Sequence, residues 1–120
     1  MSSRVRLRRV YDPPSTEDGA RVLVDRIWPR GLSKQEAHLG LWLKEVAPSS
    51  GLRTWYGHAP ERFEEFRDRY LDELTDDERG AALGRLRELL RDGTVTLLTS
   101  TRDVRHSHAA VLAALLDEPA

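Results

Sequence analysis

The stretch Asp25-Arg26-Ile27-Trp28-Pro29-Arg30-Gly31 holds the densest set of groups able to do chemistry in this sequence. Asp25 ends an apolar run, Ala20-Arg21-Val22-Leu23-Val24, at a position that ordinarily takes Val or Ile. A carboxylate there needs a partner, because an unpaired buried charge is costly. Arg26 or Arg30 is the expected partner. Two readings follow: an ion pair that locks the strand-to-loop turn, or a carboxylate–guanidinium pair that holds an anionic or polar ligand. Trp28 suits a core or a pocket wall, its N–H needing an acceptor in either.

A second cluster is Ser100-Thr101-Arg102-Asp103 with Arg105-His106-Ser107-His108. Ser107 is a natural N-cap for a following helix, and helix N-termini favour anions through free N–H groups and the dipole. Either His106 or His108 is a candidate general acid or base near neutral pH. Metal binding by the pair is disfavoured, since residues at i, i+2 point to different sides of a helix, whereas helical metal pairs sit at i, i+4. No metal and no cofactor is expected. A looser third group, Lys44, Arg53 and His58, surrounds Ala47-Pro48-Ser49-Ser50, with Trp55 and Tyr56 able to line a cleft. Arg4, Arg6, Arg8 and Arg9 invite a nucleic-acid reading, although alternating charges along a strand usually form its solvated face. No Gly-rich phosphate loop, Gly-x-Ser-x-Gly elbow, His-Glu-x-x-His helix or EF-hand occurs.

These groups must be positioned by local structure. Arg4 to Arg8 alternates charged and apolar residues, the period of a half-buried strand, with Val10 extending it. Ala20 to Asp25 reads as a more buried, central strand. Ser33 with Glu36 forms a capping box and opens a short helix. Leu39 to Val46 fits both periods; Gly40 and Pro48 favour a strand. Leu52 to Tyr56 suggests a helical turn. Pro60 opens a helix whose stripe is Phe63, Phe66, Tyr70 and Leu74. Thr75 and Glu78 predict a second capping box, before the stripe Leu83, Leu86, Leu89 and Leu90. Val95 to Thr99 is another apolar strand, and Val111, Leu112, Leu115 and Leu116 line a last helix. Strands separated by helices predict an α/β fold, a small mostly parallel sheet of about four strands flanked by helices. In such a sheet ligands bind beyond the carboxyl ends of the strands. Those ends are Asp25 to Arg30, Ala47 to Arg53 and Thr99 to His108, where the polar clusters fall.

The chain has 120 residues, enough for one domain, 1–120 with its core at about 4–117. It has no cysteine, which excludes disulfides and thiolate chemistry and fits a reducing cytoplasm. The net charge is −1, so nucleic acid held by overall charge is disfavoured. No apolar run is long enough to cross a membrane, and no signal peptide is visible. Of the 19 basic residues, 17 are Arg and only Lys34 and Lys44 are Lys. A GC-rich genome is the expected source of most of that bias. Arg26, Arg30, Arg53, Arg102 and Arg105 break the pattern, because they sit at strand ends and loops rather than between acidic residues on helices.

Val10-Tyr11-Asp12, Val24-Asp25-Arg26-Ile27-Trp28-Pro29-Arg30-Gly31, Trp42-Leu43-Lys44, Trp55-Tyr56-Gly57-His58 and His106-Ser107-His108 together resemble the YeaO-like branch of the domain-of-unknown-function family number 488. The resemblance spans about residues 4–116. It implies a small cytosolic α/β domain and carries over no activity. Thr99-Ser100-Thr101 stands where that family tends to show Tyr-Ala-Ala, and Ser107 where it shows Asn. Larger relatives carry cysteines near this strand and helix; this chain has none.

The leading expectation is an enzyme or binding protein for a small anionic ligand such as a nucleotide, phosphate or carboxylate. Asp25, His106 and His108 would be the catalytic groups, and Arg26, Arg30, Lys44, Arg53, Ser100 and Arg102 would bind the ligand. Asp25, Arg30, Lys44 and His108 should then share one concave pocket. The alternatives are a non-enzymatic nucleic-acid-binding module and a protein-interaction domain. The oligomeric state is not legible.

Overall fold

The computed structural model describes residues 4–117; the first and last three residues of the expected domain lie outside the described residues. Four strands, β1 (Val5–Arg9), β2 (Ala20–Leu23), β3 (Leu41–Trp42) and β4 (Val95–Thr99), form one sheet in the order β1-β4-β2-β3. Every pair is parallel. β4 therefore lies between β1 and β2, pairing Leu97 with Leu7 on one side and with Val22 on the other. All five β4 residues are buried. This explains its unbroken apolar run, since a strand covered on both faces has no polar side to present.

Successive residues point to opposite faces of a sheet, and the two cores divide accordingly. Val22, Val24, Val95 and Leu97 pack into a large core beneath α2 (Ser50–Tyr56), α3 (Phe63–Glu73), α4 (Asp77–Asp92) and α5 (His108–Leu116). Leu23 and Leu98 pack on the other face with Val10 and Ala37, against Trp28, Leu32, Leu39 and Trp42. Among the described residues, that second face is covered by α1 (Lys34–Ala37) and its flanking loops. Trp28 and Trp42 meet edge to face at 5.3 Å, and their N–H groups donate to the Leu32 and Asp25 carbonyls.

Several expectations are refined. The Leu39–Val46 stretch is a strand only at Leu41–Trp42; a 3-10 turn follows at Lys44–Val46. The predicted capping box opening α4 is corrected: Asp76, not Thr75, is the N-cap and accepts from the Arg79 N–H. Thr75 instead donates its hydroxyl to the Asp72 carbonyl. The Ser33–Glu36 capping box is present with both hydrogen bonds, and Ser107 caps α5 by accepting from the Ala110 N–H. The arginines of the first strand are engaged within the chain. Arg4 donates to the Leu90 carbonyl, Arg6 pairs with Asp18, Arg8 donates to the Leu7 carbonyl and Arg9 donates to the Ser100 carbonyl. Among the described residues no helix is long and apolar enough to cross a membrane.

Candidate functional site

A parallel sheet brings the carboxyl ends of all its strands to one edge. At that edge β2 runs on through Val24, whose N–H donates to the Leu98 carbonyl, and delivers Asp25 beside the end of β4. A cleft of about 250 Å³ opens there. Asp25, Arg26, Arg53, His58, Ser100 and His108 line it, together with Thr101 and His106.

Asp25 is buried, and its partners are not the arginines expected. The Thr99 hydroxyl donates to Oδ1 at 2.7 Å. The Ser100 N–H and hydroxyl both donate to Oδ2 at 2.8 Å. The expected pairing with Arg26 or Arg30 is therefore corrected: β4 supplies hydroxyl and amide donors from its own end, and the carboxylate bolts β2 to β4. Three charge-assisted hydrogen bonds of this kind hold a buried carboxylate without a guanidinium.

His108 is the first residue of α5. Its Nε2 lies 2.9 Å from the Val24 carbonyl and 3.4 Å from Asp25 Oδ1. A carbonyl only accepts, so the neutral ring carries its proton on Nε2. Burial lowers the His108 pKa from its ordinary value; Asp25 and the Val24 carbonyl oppose that shift, while Arg53 and His58 add to it. A histidine with a depressed folded pKa stabilises the fold above its unfolded value of about 6.5 and loses that contribution as pH falls. Stability should thus decline from about pH 6.5 downward. His108→Gln, which keeps a donor for Val24, should lack this component in denaturant titrations between about pH 7 and 5. An unchanged pH dependence in the variant would assign the decline elsewhere.

The cationic wall comes from α2. Ser49 caps this helix through the Leu52 N–H, and Glu73 fixes Ser49 in turn, accepting from its N–H at 2.8 Å. Arg53 sits one turn into α2, half-buried in the cleft wall. Its Nε is buried without a hydrogen-bond partner, and among the described residues no carboxylate pairs with its guanidinium. Gly57 ends α2 at φ +54°, and His58 follows at φ +57°. Two successive left-handed residues turn the chain sharply enough to place His58 at the rim. Tyr56 donates its hydroxyl to the His106 carbonyl at 2.6 Å, tying α2 to the 3-10 turn Val104–His106.

The remaining expected residues separate. Arg26 is exposed and lines the cleft. Ser100 lines it too, but both its donors are spent on Asp25. His106 lines the cleft with its Nδ1 2.7 Å from Asp103 Oδ2. Arg102 belongs to an adjoining shallow groove with His58, Thr101 and Asp103. Arg30 and Lys44 do not line the cleft, which corrects the expectation that they share it with Asp25 and His108. Arg30 is exposed and offers its carbonyl to the Tyr11 hydroxyl, while Lys44 lies over the Trp42 ring at 5.4 Å. Ile27, Pro48 and Phe66 also wall the cleft. Phe66 was legible only as a core position of the α3 stripe, and Pro48 only as a strand stop; neither residue type carries a sign of pocket lining. Among the described residues no three His, Asp or Glu side chains gather as a metal site.

A family model described as "Inactive DUF488-N3 subclade" matches residues 4–120. An uncharacterized protein of Mycobacterium tuberculosis is 55% identical over 115 residues, covering 96% of this chain and 95% of that protein. The uncharacterized protein YeaO of Escherichia coli is 39% identical over 109 residues, covering 91% and 93%. No solved structure matches the chain.

Proposed function

The chain belongs to the DUF488 family, in the branch described as its inactive N3 subclade, and on that premise we propose that it binds a small anion at the β2–β4 cleft without turning it over. Arg53 carries the reading. Arg53 lines the cleft with no carboxylate paired to it among the described residues, which leaves its guanidinium to a phosphate or carboxylate. Arg26 adds positive charge at the mouth.

Binding without turnover is favoured by how Asp25 is used. Both Asp25 oxygens accept hydrogen bonds from β4. The contacts of His108 Nε2 with the Val24 carbonyl and of His106 Nδ1 with Asp103 do not bear on turnover, because a histidine held at one ring nitrogen acts through the other. A general base must be free to reach the proton it takes, and Asp25 is committed to the fold. The description of the subclade as inactive agrees.

Calorimetric titration with inorganic phosphate and with acetate at low salt tests the reading. Affinity in about the millimolar range is expected for so small a contact. Arg26→Ala should weaken it by roughly fivefold, as fits an exposed charge. Arg30→Ala should leave it unchanged, since Arg30 lies off the cleft. Absence of binding by both anions, or equal losses in the two variants, would count against the site.

A further inference from the structure

We infer that the ligand of this cleft is a small acid whose charged head is carried on an apolar, ring-sized body; this deepens the anion-binding reading and rests on it. The cleft wall is of two kinds. Arg53 and Arg26 supply the positive charge, and Ile27, Pro48, Tyr56 and Phe66 supply apolar surface. Its volume of about 250 Å³ is roughly eight times the share of liquid volume one water takes. Inorganic phosphate, at roughly two to three water volumes, would leave most of that space unfilled, whereas a ring bearing an acid group fills far more of it. A nucleotide would project far beyond it, the cleft being smaller than the ~300 Å³ at which drug-sized ligand sites begin.

Two observations make the apolar wall a surface for a ligand. Ile27 is 68% exposed, next to Asp25 and Arg26 in sequence and in the cleft wall. An isoleucine left so open has no core to serve, and it gains by contact with an apolar body laid against it. The Tyr56 and Phe66 rings stack at 4.2 Å and 17°, with the Tyr56 hydroxyl fixed to the His106 carbonyl. This part of the wall is thus held rigid before any ligand arrives, which lowers the cost of ordering on binding. Asp25 is the carboxylate in the wall, and the donors of Thr99 and Ser100 meet its charge. The acid head is therefore left to the Arg53 and Arg26 guanidinium groups.

The test compares two matched pairs by calorimetry: benzoate with acetate, and phenyl phosphate with inorganic phosphate. The ring-bearing member of each pair should bind at least about tenfold more tightly, from the apolar area it buries. The stronger pair identifies the head as carboxylate or phosphate. Ile27→Ser, a change at an exposed position, should narrow the gap by roughly threefold. If acetate and phosphate bind but the ring adds less than about twofold, or if the gap is unchanged in I27S, the ring-bearing class is wrong while the anion site stands. If none of the four binds, the anion reading falls and this inference with it.

Discussion

Replacing Arg53 with alanine should weaken phosphate or carboxylate binding by roughly ten- to a hundredfold while the melting temperature moves by no more than about 4 °C. The binding loss follows from the energy of charge-assisted hydrogen bonds, about 1.5–3 kcal/mol. The small stability change follows from what Arg53 lacks. Among the described residues its guanidinium forms no ion pair, and its Nε is buried without an acceptor. Truncation therefore removes an unsatisfied donor and breaks no bond. The α2 helix gains the propensity of alanine, up to a few tenths of a kcal/mol relative to arginine. Against this stand a cation lost from the last turn of α2, about 0.3–1 kcal/mol, and the contacts of the arginine stem. Arg53→Lys separates charge from geometry: a point charge should restore part of the affinity, since an ammonium cannot fork onto a planar acid. The opposite pattern, a large fall in melting temperature with affinity retained, would make Arg53 a structural residue.

Arg53 also shows how far residue types reach. As one of the arginines that break the helix-surface pattern it was legible from sequence as a binding candidate, and so was the edge of the sheet where it stands. The parallel sheet, the buried β4 and the Ser107 cap were legible too, because each follows from a local period or a local donor. Arg30 is drawn to the same site by proximity to Asp25 in sequence, and Lys44 by its place near a predicted strand end. A loop residue such as Arg30 can leave on either side of the sheet edge, and no period constrains it. The partner of Asp25 is not legible from sequence for a related reason. Sequence adjacency suggested a guanidinium, whereas the sheet order sets β4 beside β2, so that Thr99 and Ser100 reach the carboxylate across 74 and 75 residues of chain.

The opposite end of β2, which carries no expected site residue, is where the largest effect on stability is expected. Asp18→Ala should cost about 3–5 kcal/mol of unfolding free energy, the range for removing one partner of a buried pair. Asp18 is 2% exposed and Arg21 6%. Arg21 Nη1 donates to Asp18 Oδ2 at 2.7 Å, and Arg6 Nη1 donates to Oδ1 at 3.0 Å. The Ser15 N–H reaches Oδ2 at 2.9 Å, and the Asp18 carbonyl accepts the Thr96 hydroxyl at 2.7 Å. Arg21 spends its remaining donors on the His38 and Ala37 carbonyls at the end of α1. Asp18 thus joins β1 and β2 through its carboxylate and β4 through its backbone carbonyl, while Arg21 carries the tie to the end of α1. Gly19 follows at φ +62°, where a Cβ would stand 2.1 Å from the Thr94 carbonyl oxygen, so the approach of this turn to β4 requires glycine. The signal in the sequence was an arginine inside an apolar strand run, which must find a buried carboxylate; Asp18, three residues earlier, is within reach of it.

Removing only the carboxylate strands the Arg21 charge in the interior. The double change Asp18→Leu with Arg21→Met should therefore be less damaging than Asp18→Ala alone, since paired apolar replacements of buried ion pairs are often near neutral. The pH dependence checks the same point. Burial alone would raise the Asp18 pKa, but the Ser15 N–H, Arg21 and Arg6 outweigh it and hold the pKa below its ordinary value. A depressed carboxylate contributes its stability above the unfolded value of about 3.9 and loses it as pH falls through the folded one. Urea titrations should show wild type and Asp18→Ala converging below about pH 4, with the full gap open at pH 7. A gap under about 1 kcal/mol at pH 7 would mean that the pair behaves as a solvated surface contact, and the buried network would then lose its place as the anchor of β2.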